Sequence, residues 1–145
     1  RTPMQWANAP NAGFSPAGIR TWLPVNPNYA QGVNIADQLK DPDSLLHFYR
    51  RLLRLRKETP ALIAGDYLPL HEDAEDYLAF LRRSEAGGQT CLVVLNMFER
   101  SHALRFDLKS RTARCLFSTA KDKRDIDDLS QLKIAPFEIY IGELI

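Results

Sequence analysis

At Gly65 the hydrophobic period of this chain changes, and that switch constrains the fold more than any other feature. Before it, Leu45, Phe48, Tyr49, Leu52 and Leu53 recur at intervals of three and four, the spacing of one helix face. After it, Tyr67-Leu68, Tyr77 to Leu81, Cys91 to Asn96, Ala103 to Leu108, Ala113 to Phe117 and Phe137 to Ile141 are short, β-branched or aromatic segments separated by turn-like stretches. The pattern predicts a mainly β fold with one long helix, its strands closing as an antiparallel β-sandwich. Gly87-Gly88 falls where a hairpin between the second and third strands would turn. The charged run Lys121 to Asp128 reads as a solvated loop.

The helix is predicted over Pro42 to Glu58. Asp41 can cap it and Pro42 suits the first helical position. Arg50, Arg51, Arg54 and Lys57 gather toward its last turns, where the helix dipole favours cations, and Pro60 forbids much continuation. Upstream, Arg1 to Lys40 has no period, and Pro3, Pro10, Pro16, Pro24 and Pro27 recur among Asn and Gly, so this stretch reads as loop. A loop of roughly forty residues is uncommon inside a small domain unless it is shaped against something larger. Trp6, Phe14, Trp22 and Tyr29 agree, because a disordered linker seldom carries four aromatics.

Charge and composition exclude several classes. Nineteen basic against eighteen acidic residues leave a net charge of +1, without the field that gathers nucleic acid or anionic membrane. The cluster Arg50, Arg51, Arg54, Arg56 and Lys57 reads as a solvated helix face. The apolar run Cys91 to Leu95 is far shorter than a membrane span, and Arg1-Thr2-Pro3 is no signal peptide, so a soluble, untargeted chain is expected. Cys91 and Cys115 fit either a bridge or two buried thiols, and the thiols are the preferred reading. His47, His71 and His102 lack metal spacing, so no metal or cofactor is expected and the histidines read as structural or surface residues.

Three stretches carry a resemblance that no periodicity would find: Arg1-Thr2-Pro3-Met4-Gln5-Trp6, Asn11-Ala12-Gly13-Phe14, and Trp22-Leu23-Pro24-Val25-Asn26-Pro27-Asn28-Tyr29. They resemble the oligo-1,6-glucosidase and α-glucosidase group of the α-amylase superfamily, glycoside hydrolase family 13. The resemblance continues through Asp41 to Leu52, Pro60-Ala61-Leu62 and Gly65-Asp66-Tyr67. It implies that residues 1–60 are the eighth βα loop and last helix of a (β/α)8 barrel and that residues 61–145 are a terminal antiparallel β-sandwich. It also implies a cytoplasmic enzyme acting on short α-linked gluco-oligosaccharides with retention.

Retaining hydrolysis needs a carboxylate nucleophile and a carboxylic acid about 5 Å apart. In the family these stand on barrel strands that would precede Arg1, so no catalytic residue is assigned here and the chain alone is expected to be inactive. The resemblance does imply substrate-binding roles at the pocket rim for Arg1, Gln5 and Trp6; a planar guanidinium suits sugar hydroxyls or a carboxylate. Ala7 departs from the family, which usually has Asp there. Trp6 and Trp22 fit either a sugar-stacking platform or an anchor against a barrel, the anchor being preferred. Transglycosylating relatives, a sucrose isomerase or a trehalose synthase, share these motifs, and a free-standing carbohydrate-binding β module remains a rival. Oligosaccharide is the expected partner, and surface left uncovered on the helix would promote self-association.

Overall fold

The computed structural model describes every residue except Arg1, Ala86, Gly87, Lys121 and Lys123. Gly87 of the expected hairpin and part of the expected 121–128 loop therefore lie outside the described residues. The chain divides into two compact units that meet at Arg54 and Leu55, inside the long helix.

In the first unit the expected loop contains three short helical turns. These are 3-10 turns at Pro10–Gly13 and Pro27–Gln31, and helix α1 at Ile35–Gln38. None is long enough to show a period, which is why pattern reading passes over them. Asn11 and Ala12 have φ of 51° and 54°, and the Asn11 side chain holds that unusual backbone by donating to Ser15 Oγ and to the carbonyls of Pro16 and Ile19.

Helix α2 runs Leu45–Glu58, three residues shorter at its start than the sequence predicts. Asp41 forms a turn instead of the cap, its carboxylate accepting from the Asp43 N–H at 2.9 Å. The helix is capped by Ser44, whose hydroxyl accepts from the His47 N–H at 3.4 Å, while Gln38 Oε1 accepts from the Leu46 N–H at 3.0 Å. Two donors of the first turn that have no partner within the helix are thereby satisfied.

In the second unit the end of α2 is followed by α3, Pro60–Ala64, which pattern reading passes over because Pro60 has the look of a terminator; it stands at the first turn of a new helix. Strands follow at β1 Asp66–Leu70, β2 Tyr77–Ser84, β3 Gln89–Asn96, β4 His102–Leu104, β5 Ala113–Ser118, β6 Leu132–Ile134 and β7 Ile139–Leu144. A five-stranded antiparallel sheet has the order β1-β2-β3-β7-β5, and β4 pairs with β6 as a separate ribbon. The sandwich is thus unequal, five strands against two. Alternation sends Ala79, Leu81, Leu92, Val94 and Tyr140 of the large sheet into one core with Leu104, Leu132 and Ile134 of the ribbon and with Phe106 and Leu129. Leu92 and Val94 are completely buried, each stabilising the fold by ~1.5–3 kcal/mol relative to exposure.

Three strand expectations need correction. The expected strand Ala103 to Leu108 pairs only as far as Leu104, and beyond it the Phe106 N–H donates to the Leu129 carbonyl, outside any ladder. Strand β6 was not expected, since three residues show too little alternation. The last strand starts at Ile139, two residues later than predicted, because Phe137 has a φ of 54° and lies in a turn with 63% of its surface exposed. Two buried polar side chains fix that turn. Asn96 Nδ2 donates to the carbonyls of Arg100 and Ala135, and Glu138 accepts from the Ala135 N–H and the Ser118 hydroxyl. No disulfide joins the cysteines: Cys91 is buried and Cys115 half-buried.

Candidate functional site

The sequence-predicted site residues fall in the first unit, and Arg1 lies outside the described residues. Gln5 and Trp6 sit on a segment hydrogen-bonded to two other parts of the loop. On one side the Trp6 and Ala7 N–H groups donate to the Ala12 carbonyl at 2.8 and 3.1 Å. On the other, the Gln5 and Trp6 carbonyls accept from the Ile35 and Ala36 N–H groups at 3.0 and 2.9 Å. Those two donors belong to the first turn of α1, where N–H groups have no partner inside the helix.

Asn34 makes α1 available for this. It is 2% exposed, its Oδ1 accepts from the Asp37 N–H at 2.9 Å, and its Nδ2 donates to the Tyr29 carbonyl at 2.8 Å and to Asp37 Oδ2 at 2.7 Å. The Asn34 amide and the Lys40 ammonium hold the Asp37 carboxyl below its ordinary pKa. Sequence reading had no signal for Asn34 beyond its being a good capping type before Ile35.

The Gln5 side chain, expected at the pocket rim, is engaged within the loop. Its Nε2 donates to Asn28 Oδ1 at 2.8 Å and to the Val33 carbonyl at 2.7 Å, so both side-chain protons are used inside the loop. This brings together two of the motifs read separately in the sequence, the one around Gln5-Trp6 and the one around Asn28-Tyr29.

Trp6 is 50% exposed and Trp22 83% exposed, with Phe14 at 47%. The unit thus leaves much of three aromatic side chains open, and exposed aromatic rings suit stacking on the apolar face of a pyranose. Ala7 is half-buried beside Gly13, where an Asp would introduce a carboxylate against the turn.

Each histidine has local neighbours, although the buried His102 Nε2 has no hydrogen-bond partner among the described residues. His47 Nε2 is 3.2 Å from the Leu39 carbonyl, His71 Nδ1 is 2.7 Å from the Tyr77 hydroxyl with its ring stacked on Phe106, and His102 Nε2 is 3.9 Å from Asp76. A hollow of about 500 Å³ in the second unit, lined by Leu81, Arg83, Thr90, Asp107, Lys109 and Leu144 among others, contains none of the predicted site residues. No helix of the described residues is long and apolar enough to cross a membrane.

Comparison with known proteins matches the two halves to two family profiles. Residues 1–65 match the α-amylase catalytic domain and residues 68–141 the maltogenic amylase C-terminal domain. The chain is 34% identical to an oligo-1,6-glucosidase of Parageobacillus thermoglucosidasius over 99% of its own length and 25% of that protein's. It is 42% identical to a glucan 1,6-alpha-glucosidase of Streptococcus dysgalactiae subsp. equisimilis, over 74% of this chain and 19% of the relative. Among solved structures, the trehalulose synthase of Pseudomonas mesoacidophila MX-45 superimposes with a TM-score of 0.87 at 32% identity, covering 100% of this chain and 25% of that one. The chain spans about a quarter of the length of the curated oligo-1,6-glucosidase that it matches from end to end. With the C-terminal-domain match alone covering half of its residues, this chain belongs to the α-amylase superfamily of glycoside hydrolases, where it corresponds to the end of the catalytic domain and the β domain that follows.

Proposed function

We propose that the chain is part of a retaining α-glucosidase that hydrolyses short α-linked gluco-oligosaccharides, with residues 1–60 as the eighth βα loop and last helix of the barrel and 61–145 as the terminal domain. The observation that carries this is the collinear match to an oligo-1,6-glucosidase across nearly the whole chain, through both units. In a double displacement, one carboxylate attacks the anomeric carbon and one carboxylic acid protonates the departing oxygen. Those groups belong to barrel strands outside these residues. The contribution of this chain is the pocket rim, where Arg1 contacts hydroxyls or a carboxylate and the segment at Gln5 and Trp6 shapes the wall. A cytoplasmic setting goes with this reading, and the two cysteines held as thiols support it.

A second reading is favoured by one observation, the likeness to trehalulose and isomaltulose synthases at TM-scores of 0.87 and 0.84. In that case the sucrose-derived glucosyl intermediate would be taken by fructose rather than water. The test is to assay the 145-residue chain and a polypeptide that carries it behind a complete barrel, using isomaltose, p-nitrophenyl α-glucoside and sucrose. The chain alone gives no turnover, and the longer protein releases α-glucose from isomaltose. Conversion of sucrose to an isomer would favour the second reading. Hydrolysis by the purified 145-residue chain would overturn both, and saccharide binding without any hydrolysis by the longer protein would favour a binding module.

A further inference from the structure

The Gln5 side chain lies between two acceptors, Asn28 Oδ1 and the Val33 carbonyl. Asn28 is held by its own turn, its N–H donating to Asn26 Oδ1 at 3.1 Å and its carbonyl accepting from the Val33 N–H at 3.3 Å. Val33 directly precedes Asn34, the cap of α1, so its carbonyl is placed by the same turn that aims the Ile35 and Ala36 N–H groups at Gln5 and Trp6. Gln5 is thus bound to the 28–35 stretch through three of its polar atoms' contacts, two from Nε2 and one at its carbonyl. Trp6, the next residue, has its N–H bound to the Ala12 carbonyl and its carbonyl to the Ala36 N–H while its surface stays half exposed.

From this geometry we propose that Gln5 is a positioning residue, whose doubly donating amide sets the place of Trp6 and leaves sugar contact to the indole. A sugar-binding glutamine amide would offer its protons outward, whereas both here point into the loop at 2.7 and 2.8 Å. The Val33 carbonyl cannot be exchanged for another acceptor without moving the chain, and Asn28 Oδ1 hangs from a backbone that its own turn holds. The consequence for substrate rests on the α-glucosidase reading above; the positioning of Trp6 does not.

The decisive substitution is Gln5→Glu, which keeps the shape and replaces the donating nitrogen by an oxygen facing two acceptor oxygens. In the 145-residue chain carrying Trp22→Phe, so that Trp6 alone reports, Gln5→Glu speeds amide exchange at Ile35 and Ala36 about tenfold or more and raises acrylamide quenching of Trp6. Below about pH 4 the protonated carboxyl regains one donor and part of the effect reverses, which a role in volume alone would not produce. Asn28→Ala, which removes one acceptor, gives a smaller change in the same direction, and exchange in β3 stays unaltered in both variants. Unchanged exchange and quenching in Gln5→Glu would overturn the proposal, as would unprotected Ile35 and Ala36 amides in the unsubstituted chain. In a polypeptide with the complete barrel, Gln5→Glu raises KM for isomaltose while kcat stays within about twofold. An unchanged KM beside a loosened loop would remove the substrate consequence alone, and absence of hydrolysis with Gln5 intact would remove the α-glucosidase reading while leaving the positioning result standing.

Discussion

The ring of Tyr140 lies over Gly142, two residues further along the same face of β7: a Cβ at position 142 would stand 2.8 Å from the Tyr140 hydroxyl and 3.1 Å from Ala113 Cβ. Space, not backbone angle, demands glycine here. Tyr140 is 1% exposed and is among the largest fully buried side chains of the core. Gly142→Ala therefore destabilises the β unit by ~1–3 kcal/mol through overpacking, read as a lowered denaturant midpoint. In a double-mutant cycle with Tyr140→Leu the penalty shrinks, because the shorter side chain vacates the place of the new methyl. Strictly additive changes would show that the ring is not what excludes the methyl.

Alkaline pH should expose the buried Cys91 thiol. Burial, then the nearby Glu143 charge, pushes its pKa from an ordinary 9.0 to about 11. The native state keeps the proton that the unfolded chain releases, so this contribution to stability is full below pH 9 and is lost as pH rises toward 11. The Tyr140 hydroxyl, also raised chiefly by burial, acts in the same direction from its ordinary value of 10.0 upward. Cys91→Ala should flatten the fall in stability between pH 9 and 11, measured by urea unfolding at each pH, and native Cys91 should resist a thiol reagent at pH 8. A wild-type slope persisting in the variant would place the loss elsewhere.

How much of this was legible in sequence depends on the length of each element. Helix α2 and strands β2 and β3 repeat their period often enough to declare themselves, whereas α1, α3 and β6 have 4, 5 and 3 residues and do not. The start of α2 was misread because Asp41-Pro42 has the composition of a cap, while Gln38, eight residues before Leu46, supplies one of the bonds that fixes the boundary. Phe137 looked like strand by type, and only the hydrogen bonds of Asn96 and Glu138 explain its turn. At the candidate site, motif resemblance picked out Gln5 and Trp6 but could not tell a contact from a support. That distinction lives in the partners at residues 28, 33 and 36, which lie far along the chain.

Helix α2 should make the chain self-associate. Leu45, Tyr49 and Leu53 are spaced four apart and are 63%, 58% and 62% exposed, so a continuous apolar stripe faces outward. Such stripes promote association and bind hydrophobic dyes. The double substitution Leu45→Gln with Leu53→Gln should lower dye fluorescence and shift sedimentation toward monomer, with little effect on the β-unit melting temperature. A wild-type chain that is monomeric and dye-silent at high concentration would contradict this.

Residues 55–145 should fold without those before them, because the β unit closes its own core. Every core position from Ala79 to Tyr140 is supplied from within that unit, and the cluster joins the five-stranded sheet to the β4–β6 ribbon. Strand β3 is paired on one side with β2 over eight residues and on the other with β7 over five, which makes it the most enclosed part of the ladder. Strands β1 and β5 each form an edge. Before α2 the described residues form turns and short helices, with Trp6 and Trp22 half exposed or more and Phe14 nearly so. Local opening there costs little free energy, whereas opening β3 requires undoing the core. Amide exchange in the 145-residue chain should therefore be slowest in β3 and β7, intermediate in β1 and β5 and at the pinned Ile35 and Ala36, and fastest through the rest of the first forty residues. A 55–145 polypeptide should keep a cooperative unfolding transition and the β3 protection pattern. If it lacks that transition, or if the first forty residues exchange as slowly as β3, then the two units form a single cooperative structure and the division at Arg54 and Leu55 has no energetic meaning.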